Sequence, residues 1–177
     1  MITILESGMS FGPFSEDHVF FIEKSPALLE LNKSSNKGEG IAIAEFLLIK
    51  SEKSRNYISI IEAKTSSPKP GNTEDFDKYI GDIKSKLSNS LHLFVSYYLN
   101  RHSSGFSELP NQFKKFSLQN IDFEFILVIK TSEDAWLRPV LDSLRPALKP
   151  LMKIWNISPT AIKVFNEAEA IRHQLAN

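Results

Sequence analysis

The sequence predicts an α/β fold, with a mixed central β-sheet flanked by helices. Three observations predict it. Apolar runs rich in β-forming residues recur at 18–25, 41–50, 57–64, 123–130 and 161–165. The first three are separated by short polar stretches, which suit antiparallel pairing. The last ones are separated by long helical patterns, which impose right-handed crossovers and parallel pairing.

Each element has its own justification. Residues 1–16 read as irregular or edge structure. "HVFFIEKS" (18–25) is a strand by composition, and "NKSSNKGEG" (32–40) is a polar, glycine-bearing loop. "IAIAEFLLIK" (41–50) is apolar on both faces, as a central strand must be. "SEKSRN" (51–56) is a short connection to "YISIIEAK" (57–64), the second arm of a hairpin. "TSSPKPGN" (65–72) then breaks the sheet. Thr73 is placed to cap the next helix, with Glu74 and Asp75 in the first turn, where the dipole favours them. Ile80, Ile83, Leu87, Leu91, Phe94 and Tyr98 recur at three and four residues and define an amphipathic helix over 74–99. Residues 101–120 read as irregular, with one short helical turn. After strand 123–130, Ser132 is placed to cap a helix from Glu133, which Pro146 and Pro150 should bend or split. Strand 161–165 leads into a helix over 166–175, with Asn166 and Glu169 in capping-box positions.

Composition bounds the function. The 177 residues suit one domain, 1–177, with a sizeable core. Lys plus Arg and Asp plus Glu number 21 each, so the basic excess of many nucleic-acid binders is absent, although a local basic groove is compatible with zero net charge. No cysteine is present, which excludes a disulfide framework, a cysteine nucleophile and thiolate metal sites. The N-terminus lacks the basic and apolar regions of a signal peptide, and no stretch approaches the ~18 apolar residues of a membrane span. The expectation is a soluble, cytoplasmic protein. His18, His92, His102 and His173 are not spaced as zinc ligands. No glycine-rich phosphate loop or nucleophile elbow occurs.

The chemistry concentrates in the hairpin. Residues i and i+2 of a strand share a face, so Glu62 and Lys64 project together. Glu45 interrupts the preceding apolar strand and approaches Glu62 across the ladder. Two adjacent carboxylates repel unless a cation lies between them. A hard divalent ion such as Mg²⁺ is held by one or two carboxylates, with water and phosphate oxygens completing its shell. A lysine beside it can orient an attacking water or stabilise phosphate charge. This layout suits metal-assisted phosphodiester hydrolysis. The plain alternative is a strand-end ion pair reaching solvent. The acid-x-Lys tripeptide decides nothing alone: it occurs twice, at 62–64 and 82–84, and composition alone produces roughly two. The context carries the signal, because an acid inside "IAIAEFLLI" is costly without a partner. On the long helix, Tyr79, Lys86 and Ser90 share one flank of the apolar stripe.

The segment "AEFLLIKSEKSRNYISIIEAK" (44–64) resembles the core of the PD-(D/E)XK nuclease superfamily, the restriction-endonuclease-like fold. There an acid precedes a hairpin, a (D/E)-x-K follows on the next strand, and a long helix and a further strand come after. The likeness covers roughly residues 18–130, with the motif confined to 44–64. Where the family commonly has Pro-Asp, this chain has Ala44-Glu45, one methylene longer. The resemblance implies a Mg²⁺- or Mn²⁺-dependent nuclease acting on DNA or RNA. Glu45, Glu62 and the backbone carbonyl of Ala63 would hold the metal, and Lys64 would assist the water. Glu23 is a candidate further ligand, since the family often adds an acid ahead of the hairpin; the alternative is an exposed strand-end charge. Lys86 is a candidate phosphate contact, or else part of a solvated helix face. By analogy the setting would be bacterial restriction or anti-phage defence, with specificity drawn from a homodimer or an ATPase partner. The fold also includes members that have lost catalysis and act as binding or assembly subunits. A small-molecule-binding α/β domain is the third reading, and it requires a deep apolar pocket away from Glu62.

Overall fold

The computed structural model describes residues 1–33, 40–52 and 55–177. Its chain opens with a hairpin. β1 (Ile2–Glu6) and β2 (Met9–Phe14) pair antiparallel about Ser7 and Gly8, whose φ angles are 50° and 74°. Positive φ at both central residues lets two residues join twisted strands. The stretch expected to be irregular or edge structure is therefore a regular hairpin, with Ile4, Met9 and Phe11 buried. Gly12 and Pro13 hid its alternation.

The central sheet contains β3 (Val19–Phe20), β4 (Phe46–Glu52), β5 (Arg55–Lys64), β6 (Ile121–Ile129) and β7 (Ile162–Asn166), in that spatial order. The first two pairings are antiparallel and the last two parallel, as the spacing of the strands predicts. The helices are α1 (Pro26–Lys33), α2 (Thr73–Tyr98), α3 (Gly105–Glu108), α4 (Asn111–Lys115), α5 (Asp134–Trp155) and α6 (Glu167–Arg172). α2 connects β5 to β6, and α5 connects β6 to β7. Both cover one face of the sheet, where Ile58, Ile60, Phe125 and Leu127 meet Ile83, Leu87 and Leu144. On the other face Phe46, Ile61 and Val128 meet the hairpin residues Met9 and Phe11, and Ala170. Covering on both faces explains why the strands read as apolar runs without alternation.

Several boundaries differ from the sequence reading. The run 18–25 is a strand only at Val19–Phe20; Ile22–Lys24 is a 3-10 turn, and α1 follows. Ser25 and Pro26 carried the signal: the Ser25 hydroxyl accepts from Leu28 N at 3.4 Å, and Pro26 opens the helix. The expected loop 32–40 begins inside α1, and its 34–39 portion lies outside the described residues. Residues 41–44 leave the sheet although Ile43 and Ala44 are buried, so Glu45 stands just before β4 rather than within a strand. The pairing of β4 with β5 runs further than expected, to Glu52 opposite Arg55. The region 101–120 contains α3 and α4. Thr73 lies inside α2, with Asn72 at the cap position, and α5 starts one residue late with Glu133 at its cap. α5 runs unbroken through Pro139, Pro146 and Pro150. Asp142, Pro146 and Pro150 lie on its exposed side, where water can satisfy the carbonyls that Pro146 and Pro150 leave without a donor. Asn166 caps α6 as expected, accepting from Glu169 N at 2.9 Å.

Candidate active site

Strand ends build the site. β5 pairs with β4 only as far as Ile61 opposite Phe46, but with β6 as far as Lys64 opposite Ile129. Glu62 and Lys64 therefore stand in a notch, with β6 on one side and the end of β4 on the other. Their parity with Ile58 and Ile60 turns them toward α2. Glu45 continues the register: its N–H donates to Ile61 O at 3.1 Å, which sets it opposite Glu62.

α2 supplies both the clamp and the cation. Ser90 Oγ accepts from Ala44 N at 2.8 Å and donates to Lys86 O at 2.8 Å. Asn89 Nδ2 donates to Ala42 O at 3.0 Å. These bonds draw 42–44 off the sheet onto the helix, and so aim Glu45. One turn before Ser90, Lys86 points into the notch.

Glu62 has 0% of its side chain exposed. Its Oε1 is 2.7 Å from Lys64 Nζ and 2.9 Å from Lys86 Nζ. Lys86 Nζ is also 3.7 Å from Glu45 Oε1. The structure thus brings together Glu45, Glu62, Lys64 and Lys86. Lys86 does not lie on a solvated helix face; it is half-buried and ion-paired with both carboxylates. Glu23 joins from the 3-10 turn, not from a strand, and its carboxyl hydrogen-bonds that of Glu45.

The electrostatics follow from crowding. Burial, then the hydrogen bond that the protonated Glu45 donates to Glu23, then the charges of Glu62 and Glu23 push the Glu45 carboxyl up to about 8, against the pull of Lys86. Burial works against charge on Lys86, but Glu62 beside it, helped by Glu45 and Glu23, holds its ammonium above the ordinary value. Burial, then the charge of Glu62, push the Tyr79 phenol up.

Among the described residues no three of His, Asp and Glu are grouped to enclose a metal ion, and two ammoniums sit against Glu62 Oε1. The donors nevertheless suit a hard cation of the Mg²⁺ class, which needs only one or two carboxylates. Glu62 Oε2 is buried with no hydrogen-bond partner among the described residues. The Ala63 carbonyl has the same parity as Ile61 O and faces the notch, where it accepts from Ser7 Oγ at 3.0 Å. A carbonyl oxygen has a second lone pair to offer. Ser7 went unnoticed in the sequence because its approach depends on the hairpin, and the role of Ser90 depends on 42–44 leaving the sheet.

No protein-family model matches the chain, and no curated protein matches it. Among solved structures, that of the restriction endonuclease FokI is similar over 85% of this chain, with 14% identity and a TM-score of 0.38. The chain spans 25% of that protein's length.

Proposed function

We propose that the chain is a metal-dependent nuclease that hydrolyses phosphodiester bonds of DNA or RNA. One observation carries this reading: a fully buried carboxylate at the end of a strand shares one oxygen between two lysines and faces a second carboxylate across the notch. A buried ion cluster of this kind rarely stabilises a fold better than apolar side chains of the same volume. Its presence calls for chemistry, and perturbed groups converging in a notch mark a functional site. Glu45, Glu62 and the Ala63 carbonyl would hold Mg²⁺ or Mn²⁺, with Glu23 behind Glu45. Such an ion lowers the pKa of bound water and stabilises charge on phosphate. Lys64 would orient the attacking water. Lys86 would pair with the phosphate as negative charge builds on it. Recognition of a particular site, in a restriction or anti-phage setting, would come from a second copy or an ATPase partner.

The test is cleavage of single- and double-stranded DNA and RNA with Mg²⁺ or Mn²⁺, against EDTA and against Lys64→Ala. The expected result is metal-dependent cutting that Lys64→Ala lowers by at least about 10²-fold, the size of a positioned proton-transfer or charge-stabilising group. No cutting by wild type, together with no metal binding by calorimetry, rejects the proposal. A second reading, a non-catalytic binding or assembly subunit, draws support from the two ammoniums that already neutralise Glu62. It expects no Mg²⁺ affinity at all.

A further inference from the structure

Beside the charged cluster, the segment 66–69 and the first turns of α2 border an open groove of about 560 Å³. Ser67, Lys69, Asp75, Lys78, Tyr79 and Asp82 line it. Tyr79 joins the groove to the cluster, since its phenol senses the charge of Glu62. The hydroxyls of Tyr79 and Ser67 are buried with no hydrogen-bond partner among the described residues. A buried hydroxyl without a partner costs free energy that an acceptor recovers. Lys69 Nζ stands 5.9 Å from the centroid of the Trp136 ring, which steadies it over the groove. Asp75 is engaged by Asn72 Nδ2 at 2.5 Å. The lining therefore offers the hydroxyls of Ser66, Ser67 and Tyr79 and two ammoniums, and its two aspartates offset the ammoniums in net charge. It attracts weakly at long range and recognises through short donor contacts. An anion with several acceptor oxygens and little need of net positive charge, such as a phosphodiester, matches this lining.

We propose that this groove holds the backbone of one nucleic-acid strand at the phosphodiester next to the reacting one, with Tyr79 and Ser67 donating to its oxygens and Lys69 and Lys78 pairing with its charge. The proposal rests on the nuclease reading above. A phenol keeps its proton throughout the neutral range, so Tyr79 acts as a donor there. Both hydroxyl oxygens are covered in the free protein, so Ser67 and Tyr79 would each shift their side chains to reach the strand.

The experiment is fluorescence anisotropy with a short labelled single-stranded DNA oligonucleotide in EDTA, where binding is read without cutting. Tyr79→Phe should weaken binding about tenfold, as expected for one hydrogen bond to a charged group. Its melting temperature should not fall, because the hydroxyl has no protein partner to lose. Lys69→Ala with Lys78→Ala should make the dependence of log affinity on log salt shallower by about 1.4. Asp82→Asn should tighten binding, a gain that misfolding cannot produce. Unchanged affinity in Tyr79→Phe and Asp82→Asn overturns the groove assignment, as does a wild type that binds no strand, or one that binds inorganic phosphate as tightly as the strand. The catalytic reading is scored separately, by metal-dependent cleavage and its loss in Lys64→Ala. Cutting by a protein whose affinity ignores the groove variants rejects the groove alone.

Discussion

Glu62 is stable in its place only because two ammoniums reach it. Lys86→Ala leaves a buried carboxylate with Lys64 as its remaining cation. Removing one partner of a buried pair is far more damaging than replacing both. The expected loss is roughly 1–3 kcal/mol, below the full penalty because Lys64 remains. Urea unfolding checks it, and Lys86→Ala combined with Glu62→Gln should recover part of the loss. If the double variant is no better than the single, the pairing energy is misassigned. Glu45 makes a separate prediction. In the folded protein it keeps its proton to about 8, against an ordinary value of 4.5. Between those values the folded state binds more protons than the unfolded one, so stability falls as pH rises through that window. Glu45→Gln has no such proton to lose, and its melting temperature should vary less across the same range. Identical pH slopes in the two proteins would reject the crowding described here. Glu62 and Lys64 were legible in the sequence, because strand parity alone puts them on one face. The partnership of Lys86 was not, because a helix flank becomes a site wall only once α2 is docked over the notch.

Among elements, α2 carries the most weight. Ser90 links it to the segment ahead of β4, so Ser90→Ala orphans the buried N–H of Ala44 and should cost about 1–3 kcal/mol. The variant should also weaken any metal binding, as Glu45 loses its anchor; thermal melts and calorimetry on the same sample read both. Gly105, at the start of α3, touches the other end of α2. A Cβ there would come within 2.6 Å of Tyr97 Cδ1, and Tyr97 is fully buried and bonded to Ser25 at 2.9 Å. Gly105→Ala should therefore destabilise by about 1–3 kcal/mol through overpacking. A neutral result would mean that the ring has room to move. The long elements were readable because α2 and the central strands repeat their apolar pattern over many residues. α1 was missed because its pattern is one short amphipathic run, and its best signal was the Ser25–Pro26 start. The prolines of α5 misled for a physical reason: the helix-breaking cost is small where the freed carbonyls face water.

For the molecule as a whole, a cation that binds the folded state alone must stabilise it by mass action. Mg²⁺ or Mn²⁺ should raise the melting temperature of wild type, EDTA should reverse the rise, and Glu62→Gln should abolish it; a melting curve indifferent to the ion counts against the metal site. The layered arrangement was readable in outline, since strands joined by short turns and strands joined by helices pair differently. The position of the hairpin β1–β2 was not, because nothing local in residues 1–16 says which face of the sheet it covers.

The notch also has a history within each folding event. β4 and β5 are neighbours in the chain, but Glu62 and Lys64 lie beside Leu127 and Ile129 only after about sixty-five residues have closed into a loop. Of the three charges only Glu62 is fully buried, and α2 must be docked for Lys86 to reach it. Dehydrating that carboxylate should hold back the docking, as contacts distant in sequence already do. A chain that has passed this step owns a complete notch, and a chain stalled before it owns none.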